Sequence, residues 1–213
     1  MQIKVNLQIF LFIIIFILTH QIEIYTCIMA FALIHEMGHM VVGIFLKLKP
    51  KTLDFMPFGI RITFEAYGYR KLFEKKKVIV AMGGPLTNLI ICILTVFFDI
   101  NTEIKELIIY SNILIATFNL IPIYPLDGGR ILKGLIRLKY KEIECDKIIN
   151  KISNIVMIIL TAASSVGILY FKNIAMVLVL IYLWIIVANE NKKYYLKMNF
   201  YNAIQKTNKY IDI

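Results

Sequence analysis

Apolar residues in this chain come in long blocks separated by short polar stretches. Six blocks approach the ~20 mostly apolar residues that a helix needs to cross a bilayer core. They run over Val5–Thr19, Ile24–Leu46, Val78–Phe98, Leu107–Tyr124, Ile152–Tyr170 and Ile174–Ala188. The pattern predicts an all-α polytopic membrane protein with six transmembrane helices. One segment changes period. In "FMPFGIRITFEAYG", Ile60, Ile62 and Phe64 alternate with Arg61, Thr63 and Glu65 just after Gly59. A period of two beside a turn residue predicts a short membrane-associated β-hairpin between helices 2 and 3, with an ordinary loop as the alternative.

Charge then orients the blocks. With the N-terminus in the cytoplasm, the inside segments are the N-terminus, 47–77, 127–151 and 189–213, and they hold 22 of the 24 Lys and Arg residues. Only Lys105 and Lys172 fall outside. This asymmetry predicts that both termini are cytoplasmic. The same fact disposes of a nucleic-acid reading of the net charge of +10, because the basic residues flank apolar blocks. The expected partners are the lipid bilayer and protein, and no nucleic acid.

Mean hydropathy is +0.73 and 59% of residues are hydrophobic, which leaves little room for a separate soluble domain. The expected division is a six-span domain over 1–190 and a basic, aromatic cytoplasmic tail over 191–213. The tail fits either an amphipathic helix on the membrane surface or a polar extension. "THQIEIYT" offers no small-x-small cleavage site after the first block, so that block reads as a retained span. Cys27, Cys92 and Cys145 are far apart, without metal-ligand spacing, and read as small buried hydrophobes.

Inside the second block lies "LIHEMGHMV". His35, Glu36 and His39 make H-E-x-x-H, which on a helix places two imidazoles on one face and a carboxylate beside them. Ionisable groups at membrane depth cost several kcal/mol unless paired, so their presence points to function. Two histidines converging on a divalent ion, with Glu36 placed to take a proton from water, account for all three. Catalytic zinc usually has three protein ligands. His20, at the far end of the block, is a poor third. In "NLIPIYPLDGGR", Asp127 follows an apolar block, and Pro122 and Pro125 forbid a regular helix before it. Irregular backbone at that depth can aim Asp127 inward. The charge rule puts both motifs in the cytoplasmic half.

Together, H-E-M-G-H, "AMGGPLTN" at 81–88 and "NLIPIYPLDGG" resemble the site-2 proteases, the intramembrane zinc metalloproteases of peptidase family M50, and most of all their sporulation branch. The resemblance implies Zn2+ bound by His35, His39 and Asp127, with Glu36 as general base and Asn119 assisting the reacting carbonyl. It implies that Asn88, Asn119 and Pro122 contact substrate, and that Gly83, Gly84 and Pro85 serve close packing. It also implies a membrane-tethered protein substrate, a sigma-factor precursor by the sporulation branch or else an anti-sigma factor or peptide precursor. Membrane-embedded inhibitor proteins are the further partners it implies. No PDZ or CBS domain is expected within the 213 residues. A membrane zinc transporter or sensor is the rival from outside the enzymes. It would need a polar path, and the first, fifth and sixth blocks hold no Asp, Glu or His. Another metalloprotease type would take Glu65 or Glu74 as third ligand.

Overall fold

The computed structural model describes residues 2–5, 17, 22–56, 59–64, 70–171 and 174–211. Nearly all of the expected first span lies outside the described residues. The chain forms two compact units, residues 1–121 and 122–213.

The first unit contains β1 (Gln2–Val5), α1 (Ile22–Phe45), β2 (Pro50–Met56), β3 (Gly59–Phe64), α2 (Arg70–Phe97) and α3 (Thr102–Asn119). The strands form one sheet in the order β1-β2-β3. β1 runs parallel to β2, and β2 runs antiparallel to β3 with Phe55 opposite Ile60 and Met56 opposite Gly59. β1, which the expectation of helices with one hairpin did not include, makes the sheet three-stranded. In β2, Leu53 and Phe55 alternate with Thr52 and Asp54, a period-two signal that the apolar-block reading passed over. β3 is an outer strand and runs beside α1.

α1 stops for a local reason. Lys47 takes a left-handed φ of 57°, the Leu48 N–H donates to the Gly43 carbonyl at 2.9 Å, and the Lys47 N–H donates to that of Ile44 at 2.8 Å. This is the Schellman arrangement, and the buried Leu48 supplies its apolar contact. Lys76 of α2 donates to the Leu46 carbonyl at 2.9 Å and ties the turn to the next helix. α3 begins where the Asn101 side chain accepts from the Glu103 N–H at 2.9 Å. It ends at Asn119, short of the expected Tyr124, because the prolines that follow cannot continue a helix.

The second unit contains α4 (Asp127–Arg137), α5 (Glu142–Phe171) and α6 (Ile174–Ile211). Segment 127–151, read above only as an inside connection, is mostly helical. Its Ile131, Leu132, Leu135 and Ile136 recur at helical spacing beneath a strongly charged composition. Met157, Leu183 and Val187 form the apolar contact between α5 and α6, each at most 1% exposed. Asn150, Asn154 and Asn191 hydrogen-bond one another across that pair.

Three described stretches are long and apolar enough to cross a membrane: Thr26–Phe45, Phe73–Phe97 and Glu142–Val166. They fall on the expected second, third and fifth spans. Six are not reached among the described residues.

Candidate metal centre

His35 and His39 stand one turn apart on α1, each 2% exposed. Their Nε2 atoms lie 3.2 Å apart, with the rings edge to face at 85°. What faces their other nitrogens decides what those Nε2 atoms are. His35 Nδ1 lies 2.9 Å from Asn88 Oδ1. The Asn88 amide cannot be reversed without loss, because its Nδ2 donates to the Asn112 carbonyl at 3.2 Å. His39 Nδ1 lies 2.7 Å from the Val80 carbonyl. The Gly84 N–H is directed at the same nitrogen at 3.1 Å. A carbonyl can only accept and an N–H can only donate, so the two contacts compete, and the shorter one favours a proton on His39 Nδ1. In the neutral imidazoles both protons then sit on Nδ1, and two Nε2 lone pairs converge. Such an arrangement is repulsive by itself and becomes favourable around a cation. The donor set fits a metal ion.

α2 is built to allow this. A Cβ on Gly84 would run into Nε2 of both histidines. A Cβ on Gly83 would meet the Gly38 carbonyl at 2.9 Å, and one on Gly38 would meet the Gly83 carbonyl at 2.8 Å. The glycine inside H-E-M-G-H and the first of "GGP" thus bring α1 and α2 together. Pro85, inside α2, offers no N–H to the Ala81 carbonyl and weakens the helical ladder next to the Val80 carbonyl that His39 uses.

In the second unit, Asp127 is the first residue of α4 and is 4% exposed. The 120–126 segment before it is irregular, as the two prolines require. The Tyr124 N–H donates to Ser153 Oγ at 3.0 Å, which fastens this segment to α5. A Cβ on Gly129 would meet Ile123 and the Tyr124 nitrogen at 2.5 Å, so the segment folds back over a position that only glycine leaves open. Arg130 lies 3.4 Å from the Asp127 carboxylate. His35 and His39 in the first unit, and Asp127 in the second, are each buried side chains of metal-ligating type.

The other expected site residues are placed as follows. Glu36 is half-buried on α1 beside this face. Asn119 is half-buried at the end of α3 and donates one N–H to the Ile115 carbonyl at 3.0 Å. Pro122 is half-buried at the start of the irregular segment. Asn88 departs from the substrate contact expected of it. It is 0% exposed, and both ends of its amide are engaged inside the first unit. Glu74 does not join the metal group. Glu65 lies outside the described residues. Asn112, 0% exposed on α3, escaped the sequence reading, although an amide amid apolar residues was a signal for it.

Residues 100–163 match the sequence profile of peptidase family M50. The chain is 34% identical over 135 residues to stage IV sporulation protein FB of Bacillus subtilis, covering 61% of this chain and 46% of that protein. Over these stretches the chain is similar to peptidase family M50. A second relative in sequence is a zinc metalloprotease of Methanocaldococcus jannaschii, 28% identical over 167 residues, or 75% of this chain and 46% of that protein. The chain thus spans about half the length of these two relatives. A solved site-2 protease from Methanocaldococcus jannaschii shares the fold, with a TM-score of 0.68 at 24% identity over 88% of this chain and 89% of that one.

Proposed function

We propose that this chain is an intramembrane zinc metalloprotease of the M50 type that hydrolyses a peptide bond in a membrane-tethered protein. The observation that carries the reading is the pair of Nε2 atoms turned toward each other, with their Nδ1 atoms held by acceptors on α2. His35, His39 and Asp127 would hold the zinc. When bound, zinc polarises a carbonyl and brings a water's pKa toward ~7. Glu36, on the same helix face, takes the proton of the attacking water and returns it to the leaving amine. Asn119 keeps an N–H for the developing oxyanion. Pro122 borders the cleavage site.

Membrane helices hide their peptide bonds in backbone hydrogen bonds, so the substrate must unwind before it is cut. β3, outermost in its sheet and beside the helix that carries H-E-x-x-H, suits an extended segment added as a further strand. The charge pattern supports cytoplasmic termini, and therefore cleavage toward the cytoplasmic side. The likeness to stage IV sporulation protein FB makes a sigma-factor precursor the first substrate to try, followed by anti-sigma factors and peptide precursors.

Co-expression of tethered candidates with the wild type and with Glu36→Gln tests the reading. Cleavage by the wild type alone, with zinc bound in both, supports it. Cleavage unchanged in Glu36→Gln removes Glu36 from the chemistry. Zinc flux into vesicles without proteolysis would favour a transporter.

A further inference from the structure

The "AMGGPLTN" segment does more than pack. Gly84 clears the space in front of the two Nε2 atoms, and Asn88, one turn further along α2, reaches the back of His35. Asn88 is itself held from α3, through the Asn112 backbone carbonyl. The contacts form one directional relay. The Asn112 carbonyl accepts from Asn88 Nδ2, which turns Asn88 Oδ1 toward His35. Oδ1 accepts from His35 Nδ1–H, which leaves the Nε2 lone pair facing His39. Every side chain in the relay is buried, so no bulk water can substitute for a missing partner.

We propose that Asn88 is a positioning residue of the metal centre, which holds His35 as the Nδ1–H tautomer and so presents Nε2 to the ion before the ion arrives. Its role is to select between two tautomers of near-equal energy. A histidine lacking that acceptor would populate Nε2–H, which cannot ligate through Nε2. His39 has its own acceptor in the Val80 carbonyl, so the two ligands are set by different means. A backbone carbonyl cannot be lost by mutation, whereas Asn88 can. The inference rests on the zinc reading above, and its test does not use proteolysis.

The experiment uses the full chain in detergent micelles. Zinc affinity is measured by chelator competition for the wild type, Asn88→Leu and Asn88→Asp. Leucine keeps the volume and removes the acceptor, and zinc affinity is expected to fall about 10- to 100-fold, the range seen when partners of metal-bound histidines are removed. Aspartate keeps an acceptor toward His35 in either protonation state, and its affinity is expected within about threefold of wild type on the same scale. Long-range 15N spectra of the metal-stripped wild type should show His35 protonated on Nδ1. Protonation on Nε2 there overturns the proposal without recourse to any variant, as does wild-type affinity in Asn88→Leu or an equal loss in Asn88→Asp. If the wild type binds no zinc at all, the zinc reading itself fails first, and the two failures are told apart.

Discussion

Two polar clusters in this protein use similar residue types to opposite ends. In the first unit, His35, His39 and Asn88 are sealed from solvent and make their polar contacts to groups of α2 and α3. In the second, Lys197 reaches Asp146 and Glu142, both at 2.6 Å, Lys133 reaches Asp146 at 2.9 Å, and Arg137 reaches Glu142 at 2.8 Å. That network is part-exposed, its partners overlap, and one ion pair can replace another. Burial makes direction matter, because an unmet donor or acceptor inside protein costs the full desolvation of that group. Exposure makes charge interchangeable, because water stands in for any lost partner.

The contrast can be broken at several points. Asp127→Asn should have the largest effect. If Asp127 completes the metal group, zinc content measured on the purified protein falls to background and cleavage goes with it. Retained zinc would move the third ligand elsewhere. Glu36→Gln should come next, with cleavage of a tethered substrate down by about 10²- to 10⁴-fold and zinc content unchanged. Gly84→Ala sharpens the contrast from the steric side. A methyl there meets both Nε2 atoms, whose rings are pinned at the back, so zinc affinity by chelator competition should drop by at least about tenfold while the helix content stays constant. Proline in place of Ile60 or Ile62 should abolish cleavage with zinc still bound, and unchanged cleavage would take β3 out of substrate handling.

The smallest effect belongs to the exposed network. Lys197→Met should lower stability by less than about 1 kcal/mol, or a Tm shift under about 4 °C for a chain of this size. Burial works against the Lys197 ammonium, but Asp146 and Glu142 outweigh it and hold its pKa above the ordinary lysine value. A raised lysine pKa stabilises the fold fully at lower pH, and that contribution is lost only as pH rises through the raised value. Between neutrality and pH 9, thermal melts should therefore show no change attributable to Lys197.

The candidate site residues were legible in the sequence because they break the rules of their surroundings. His35, Glu36 and His39 stand out in an apolar block, and Asp127 stands out behind Pro122 and Pro125. The relay behind the group was much less legible. Asn88 was visible as part of a motif, but nothing in a linear pattern says that its Oδ1 faces His35 or that the Asn112 carbonyl fixes it, since that depends on how α1, α2 and α3 pack. α4 was missed because its charges read as a connection while its apolar residues keep helical spacing. β1 was missed because it ends at the start of the first apolar block and its partner, β2, is distant in sequence.

The division expected at residues 190 and 191 meets no break in the chain's last helix. α6 runs through it as one helix of 38 residues. At 1.5 Å per residue it is about 57 Å long. A hydrocarbon core is about 30 Å thick, so a helix this long that stands across it must emerge by some 25 Å or more. The lysines and tyrosines between 192 and 201 lie on the C-terminal part of that helix, beyond the apolar run that ends near Ala188.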